Sequence, residues 1–308
     1  MKISNSYIKN VVLIAITLLT CYLATAQQQP QFTQYMYNTL TLNSGYVSDY
    51  RIEAGLIHRS QWVGIDGAPT TQSLTVAGRS GERIGLGLTV INDNIGPSND
   101  LDINGVFSYS IPITYNMHLS FGINAGIDIL NVDWSEGEYA DQPDPILNNN
   151  VNNVTPIIGA GTYLYSSNWY VGVSAPNFIK TKSYNDDDEL VIDKTTEFYL
   201  IGGYVFDITP AFKLKPSTLL KYTEGAPVTV DLSLNALIQE KFTVGTSYRF
   251  NDALSVLLGF QISRSFFAGY AFDYSTTELT KYNDGSHEIM LRYTLPNLNK
   301  RAKSPRFF

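Results

Sequence analysis

The chain has 308 residues, a formal net charge of −7, only 16% charged residues and 13% aromatic residues. This acidic balance disfavours nucleic acid as a partner, and none is expected. The mean hydropathy of −0.07 and the lack of a long apolar run exclude a helical membrane protein. They leave open a membrane-spanning barrel, in which only every second residue faces lipid.

Residues 1–26 predict a signal peptide. Lys2 and Lys9 form a basic start, Val11–Leu23 is an apolar run of signal-peptide length, and an A-x-A cleavage site ends at Ala26. Removal leaves 19 basic residues against 28 acidic ones, a net charge of −9, and takes away Cys21, the single cysteine. Lipidation of Cys21 is disfavoured because the residues before it lack the small side chains expected there. The mature chain is therefore predicted to be exported and free of thiols.

Residues 27–49 show no strand period and predict a non-barrel leader, acting either as a plug of the lumen or as a periplasmic contact. Strand patterns then recur fourteen times between residues 50 and 295. The predicted strands are Tyr50–His58, Thr70–Gly78, Ile84–Ile91, Leu101–Ile111, Leu119–Leu130, Thr155–Tyr165, Trp169–Ser174, Thr196–Phe206, Phe212–Tyr222, Val228–Ile238, Phe242–Phe250, Ala253–Ile262, Phe266–Tyr274 and Glu288–Leu295.

The clearest alternation lies in Phe242–Tyr274, where three runs of about ten residues are joined by very short turns. In the first run, Phe242, Val244 and Tyr248 share one apolar face, and polar or small residues form the other. About ten residues is the length of a tilted strand that crosses a bilayer. A water-soluble sandwich can show the same alternation, so this pattern alone does not decide between the two.

The lengths of the connections favour the membrane. The longest, Val132–Val154, Ala175–Lys194 and Ser275–His287, all follow odd-numbered strands, whereas the connections after even-numbered strands are short. Bacterial outer-membrane barrels have short periplasmic turns and long outer loops. The predicted fold class is therefore all-β, a single antiparallel transmembrane β-barrel of about 14 strands in the outer membrane. Its N-terminal leader and the basic tail, residues 296–308, then lie on the periplasmic side.

No set of residues indicates catalysis, so no enzyme activity, cofactor or metal is predicted. The three histidines, His58, His118 and His287, lack metal-ligand spacing. The acidic run Asp186–Glu189 is either a calcium ligand set or, as is more common, a solvated loop. Charged side chains on the inner faces of the strands either line an ion path or pair with one another, since a lumen of fourteen strands must be filled or conduct.

Three stretches carry a family resemblance. The leader reads PQFTQYMYN and then LNSGY, the first hairpin reads RSQWVGIDGAPTTQS, and the chain ends SPRFF. They resemble the PorP/SprF family of the Bacteroidetes type IX secretion system over essentially the whole mature chain. The departures are small: Ser44 stands where proline is usual, Val47 where alanine is usual, and Phe307 where tyrosine is usual.

The resemblance implies a non-enzymatic outer-membrane component of type IX secretion and gliding motility. It implies that the protein assists export or surface retention of large adhesins through their C-terminal domains. The expected partners are outer-membrane lipid, an exported adhesin C-terminal domain and type IX secretion subunits. The alternative is a general porin or small-solute transporter.

The predicted partner contacts come from apolar residues and from the ends of the chain. In the first hairpin, Trp62 and Ile65 are apolar residues that a solvated loop does not need, although Trp62 serves equally well as an interfacial girdle residue. Phe32 and Tyr35 in the leader and Arg306 in the tail complete the candidates.

Overall fold

A computed structural model describes residues 30–46, 48, 50–134, 150–184 and 190–295. Its helices are short: a 3-10 turn at Tyr35–Tyr37, one α-helical turn at Thr39–Leu42, and a 3-10 turn at Glu278–Lys281. Within the described ranges, no helix has the length and apolar character needed to cross a membrane.

The strands follow the predicted pattern of short, alternating segments. Their bounds are β1 Ile52–Ser60, β2 Thr70–Ser80, β3 Ile84–Ile95, β4 Ser98–Pro112, β5 His118–Val132, β6 Val151–Tyr165, β7 Trp169–Ala175, β8 Thr181–Tyr184, β9 Leu190–Lys194, β10 Glu197–Tyr204, β11 Phe206–Thr209, β12 Phe212–Thr223, β13 Thr229–Ile238, β14 Phe242–Arg249, β15 Ala253–Gln261, β16 Phe266–Ser275 and β17 Ser286–Leu295.

The strands close into a barrel. Each wall strand pairs antiparallel with its chain neighbours, β10 pairs with both β7 and β12, and β17 returns to β1, with Ile52 opposite Leu295 and Ser60 opposite His287. Counting β10 and β11 as one interrupted strand, the wall has fourteen strands, which confirms the predicted fold class. Closure satisfies the backbone hydrogen bonds of the wall, as a hydrocarbon environment requires.

The exposure of side chains on the two faces of the wall shows that the outer face is the apolar one. On β14, Phe242 and Val244 are exposed on the outside, whereas Thr243 and Ser247 are buried on the inside. A soluble sandwich buries its apolar face, so this arrangement rules out the alternative that alternation alone left open.

Two details differ from the predicted strands. The eighth strand, predicted as one segment over Thr196–Phe206, is interrupted at Val205, and its second part extends to Thr209 with a register shift against β12. The connection predicted as the loop Ala175–Lys194 contains a separate two-stranded hairpin, β8 with β9. The acidic run Asp186–Glu189 lies outside the described residues.

The long connections all leave the same end of the barrel. They span residues 133–150, 176–196 and 276–285, whereas the opposite end has short turns such as residues 239–241 and 262–265. We call these the loop end and the turn end. The loop end faces the exterior in bacterial barrels built this way.

Candidate functional site in the barrel lumen

Residues 30–46 lie inside the barrel, and we call them the lumen segment. Residues 32–40 and 42–46 are all buried, although they belong to no strand. The largest side chains among them join one apolar cluster with inner-face residues of the wall, including Ile57, Leu257 and Phe267. The lumen is therefore filled by the chain's own N-terminal part.

At the loop end, the segment is held by two buried carboxylates. The backbone nitrogens of Thr33 and Gln34 donate to the two oxygens of Glu288, each at 2.9 Å. The hydroxyl of Thr33 lies 2.7 and 2.8 Å from the two oxygens of Asp273. Two consecutive backbone donors on one ionised carboxylate make a strong, directional anchor.

Arg59 pairs with both carboxylates. Its guanidinium lies 2.7 Å from Asp273 and 3.3 Å from Glu288, and also donates to the Thr33 hydroxyl at 3.2 Å. All three ionised side chains are at most 3% exposed. Buried charges of this kind are tolerated only when each is paired, so the segment and the ion pairs depend on each other. We call these residues, Arg59, Asp273, Glu288, Thr33 and Gln34, the loop-end anchor.

The middle of the segment contacts opposite sides of the wall. The Tyr35 hydroxyl lies 3.2 Å from Ser233 on β13, and the Asn38 amide donates to Ser73 on β2 at 3.1 Å. The Tyr37 ring packs on Phe267 with 5.3 Å between ring centroids. Contacts in several directions fix the segment across the lumen.

Near the turn end, the segment meets β1, β6 and β7. The Ser174 hydroxyl donates to the Leu42 carbonyl at 2.6 Å, and the Asn43 amide donates to the Thr162 carbonyl at 3.0 Å. The Tyr46 hydroxyl donates to Glu53 at 2.9 Å. The segment thus runs along the barrel from the loop end to the start of β1.

Inner-face glycines make room for this path. A Cβ added at Gly122 would lie 1.9 Å from the Ser44 carbonyl oxygen, and one added at Gly161 would lie 2.2 Å from Asn43. Sequence analysis placed glycines on the inner faces of strands without a reason for them. The reason is the close approach of the segment's backbone.

Replacing Gly122 with valine should loosen the segment without breaking the barrel. The new side chain would overlap the Ser44 carbonyl, so we expect faster amide hydrogen exchange across residues 39–46. Gly105→Val is the matched control, because its Cβ meets nothing closer than 3.7 Å. Equal exchange in both variants would contradict a tightly packed segment.

Three further pairs of inner charges bear on the choice between an ion path and a filled lumen. Lys221 contacts Glu197 at 2.9 Å, and Arg249 contacts Asp231 at 3.4 Å. Arg292 lies 3.8 Å from Glu53. These buried pairs match the filled-lumen alternative.

The β8–β9 hairpin is tied to the wall at the loop end. Lys194, the last residue of β9, forms ion pairs with Asp100 and Asp128, and Asp102 completes a group whose carboxylate oxygens lie within 4.8 Å of one another. Burial lowers the pKa of Lys194, but Asp100 and Asp128 raise it, and the net shift is upward. The lysine thus remains charged, and it lines one cavity together with Pro30, the first described residue of the lumen segment.

The structure divides the predicted contact residues into two groups. Phe32 and Tyr35 are buried in the lumen, 3% and 1% exposed. Trp62 and Ile65 lie together in the loop after β1, where the Ile65 amide donates to the Trp62 carbonyl at 3.2 Å, and both are half-buried. Arg306 lies outside the described residues. Their contact with a partner stays a prediction.

The loop containing Trp62 is docked on the 276–285 connection. The Val63 amide donates to the Gly285 carbonyl at 2.9 Å, and the Asp284 amide donates to the Val63 carbonyl at 2.8 Å. The tight turn requires positive φ values at Gly64 and Gly67. Sequence analysis recognised this hairpin by its residues but missed the loop-end anchor, whose partners are 26 to 255 residues apart.

Comparison with solved structures shows the fold. The chain is similar to the CymD monoaromatic hydrocarbon channel, with a TM-score of 0.52, 11% identity, and coverage of 86% of this chain and 94% of that chain. It also matches the Ralstonia pickettii toluene transporter TbuX, with a TM-score of 0.48, 11% identity and coverage of 82% and 90%. Acinetobacter baumannii Omp33 matches with a TM-score of 0.42, 12% identity and coverage of 80% and 98%. No curated protein matches the chain.

A family model described as "Type IX secretion system membrane protein PorP/SprF" matches residues 24–293. Together with the closed barrel, this match places the protein in the outer membrane. The family and fold are those of a secretion or transport component rather than of a known enzyme class. The chain belongs to the PorP/SprF family of type IX secretion system membrane proteins.

Proposed function

We propose that this protein is a non-enzymatic partner barrel of the type IX secretion and gliding machinery. In this role it assists export or surface retention of large adhesins by engaging their C-terminal domains at the loop end. The observation that carries the proposal is the lumen segment, which is anchored at both ends and fills the barrel. A barrel whose lumen is filled still presents its loops and surfaces to protein partners.

The lumen segment acts as a plug in this proposal. The loop-end anchor and the Tyr46–Glu53 hydrogen bond hold it at its two ends, and several charges of the inner wall are paired with each other. Phe32 and Tyr35 then contribute to closure. Contact between either side chain and another protein would require the segment to leave the lumen.

The loop end offers a rigid surface for an exported domain. The Trp62–Ala68 turn and the 276–285 connection are hydrogen-bonded to each other, and the Gly67 carbonyl accepts from the Gly96 amide at 2.9 Å. Exposed apolar side chains on these connections include Val63, at 36%, and Tyr282, at 71%. Apolar and aromatic residues on a rigid base are typical of protein-binding surfaces.

Affinity isolation of the tagged barrel from its own outer membrane, read by mass spectrometry, tests the proposal. We expect recovery of secretion-system subunits or of an adhesin C-terminal fragment. Trp62→Ala with Ile65→Ala should reduce recovery of that fragment by about tenfold, as loss of two apolar contacts would. Ile113→Ala with Tyr115→Ala, exposed at the turn end, is the matched control.

Two outcomes would count against the proposal. Recovery of the barrel alone, under conditions that keep other outer-membrane complexes intact, would contradict a partner barrel. Equal losses in the two double variants would contradict docking at the loop end. The rival function, a porin or small-solute transporter, requires conductance from the purified wild-type chain.

A further inference from the structure

The outer face of the wall carries a row of asparagines at the loop end of β3–β6. Asn94 is paired with Asn99, Asn99 with Asn131, and Asn131 with Asn152. Residues directly opposite each other on neighbouring strands project their side chains from the same face, about 5 Å apart. These four residues therefore form one continuous row of amides, which we call the asparagine ladder.

The ladder faces outward. On β4, Phe107 and Tyr109 are exposed on the outside, and Asn99 has the same parity. Its chain neighbour Asp100 projects to the other side, where it meets Lys194. Alternation along a strand thus separates the ladder from the acidic group inside the barrel.

The ladder is the first polar row above the apolar belt on β4–β6. The next outward-facing row lies two residues along each strand toward the turn end. It consists of Leu101, Ile129 and Val154, which are directly paired across β4, β5 and β6. Such a step is about 7 Å. The ladder therefore lies just beyond the apolar belt at the loop end, which is the end that faces the exterior in bacterial barrels of this kind.

Hydrogen bonding within the patch leaves donors and acceptors for a ligand. The Asn99 amide donates to Asn92, at 3.0 Å, and to Asn94, while the Asn92 amide donates to Gln72 at 3.2 Å. In the part of the chain that the structure describes, the side chains of Asn131 and Asn152 make no hydrogen bond. Each offers an oxygen acceptor and two N–H donors.

The chemistry of the row favours hydroxyl groups over phosphate. The ladder and the residues paired with it on β2 and in the next row are all uncharged: Thr70, Gln72, Asn92, Leu101, Ile129 and Val154. Phosphate recognition relies on lysine or arginine, and these described residues include neither. Amides both donate and accept, as sugar hydroxyls do, so the two sets of groups are complementary.

The ladder is confined to one side of the barrel. On the opposite side of the barrel, the outward-facing residues nearest the loop end are aromatic, among them Tyr248, Phe250 and Tyr274. Strand length explains this difference: β4, β5 and β6 have 15 residues each, whereas β13–β17 have 8 to 10. The longer strands have room for an additional polar row at the loop end.

A small core supports the ladder from inside. Leu130, Val132 and Val151, which alternate with the ladder residues along β5 and β6, are buried with Trp134 packed against them. A sheet fixed by packing holds the amides at their positions before any ligand arrives. Such preorganisation lowers the entropy lost on binding.

We propose that the asparagine ladder binds the saccharide of an outer-leaflet glycolipid through hydrogen bonds between its amides and sugar hydroxyls. The bound glycolipid covers the β3–β6 side of the barrel, while the aromatic side contacts lipid directly. The ladder shares no residue with the Trp62–Ala68 turn, although it begins beside it, since Gly96, two residues after Asn94, donates to the Gly67 carbonyl.

Native mass spectrometry of the purified barrel tests this site. The barrel is loaded with lipopolysaccharide that has a defined core oligosaccharide, and in parallel with the corresponding lipid A without sugars. We expect the wild type to retain the core-bearing form through detergent exchange. The triple variant Asn99→Ala, Asn131→Ala and Asn152→Ala should retain about tenfold less, because three hydrogen-bonding side chains are removed.

Asn116→Ala is the matched control, since Asn116 is an exposed asparagine in the β4–β5 turn at the opposite end of the same strands. A heat-dependent shift in gel mobility shows that each variant is folded. Equal retention of the core-bearing form by wild type and triple variant overturns the proposal. Retention of lipid A as strong as that of the core-bearing form also overturns it, since acyl chains then account for binding. The proposal is also overturned if the triple variant loses a co-purifying protein but retains as much glycolipid as the wild type. That result would make the ladder a protein-binding surface.

Discussion

Deletion of residues 30–46 should turn a closed barrel into an ion-conducting one. The wild-type lumen is occupied by this segment, whose side chains and backbone contact β1, β2, β6, β7, β13, β16 and β17. A wall of fourteen strands encloses a lumen that is wide enough for water and ions once the filling is removed. In planar lipid bilayers, we expect no steps of current from the purified wild type and discrete steps from the deletion variant.

A synthetic peptide of residues 30–46 provides the control for this experiment. Added to the deletion variant, it should reduce the current, whereas a peptide of the same composition in scrambled order should not. After the deletion, Arg59 still pairs with Asp273 and Glu288 across the wall, so the barrel itself should still fold. Conductance from the wild type equal to that of the deletion variant would instead favour the porin function.

The strands of the wall could be predicted because the alternation of apolar and polar residues is visible within each strand. On β14, alternate residues switch between exposed and buried along the whole strand, and the sequence alternates in the same way. The strand number follows from counting such runs. The break at Val205 was not predictable, because the residues on both sides of it keep strand-forming character and the break lies beside Trp169, where β7 begins.

The position of the lumen segment could not be read from the sequence. Thr33 is anchored by Asp273 and Glu288, 240 and 255 residues away, and no periodic pattern marks such pairs. Sequence analysis expected charged side chains on the inner faces of the strands, but it could not assign Arg59 as the common partner of Asp273 and Glu288. The role of Gly122 was hidden for the same reason, since its close neighbour, Ser44, belongs to a segment without regular structure.

Replacing Arg59 with methionine should destabilise the barrel more than loss of any exposed ion pair. Methionine keeps much of the side-chain length but leaves Asp273 and Glu288 buried without a counter-charge. Removal of one member of a buried ion pair costs about 3–5 kcal/mol of the free energy of unfolding. The same change should release the segment, so hydrogen exchange across residues 31–38 should quicken.

Lys180→Met is the matched control for Arg59→Met. Lys180 pairs with Glu224, but the two side chains are 54% and 61% exposed, and such surface pairs contribute at most about 1 kcal/mol. Urea unfolding of the barrels in lipid vesicles measures both losses on one scale. Adding Asp273→Asn and Glu288→Gln to Arg59→Met should recover part of the stability, because neutral amides cost less to bury than unpaired carboxylates. If the triple variant recovered nothing, or if Arg59→Met matched Lys180→Met, charge pairing would not be what holds the segment at the loop end.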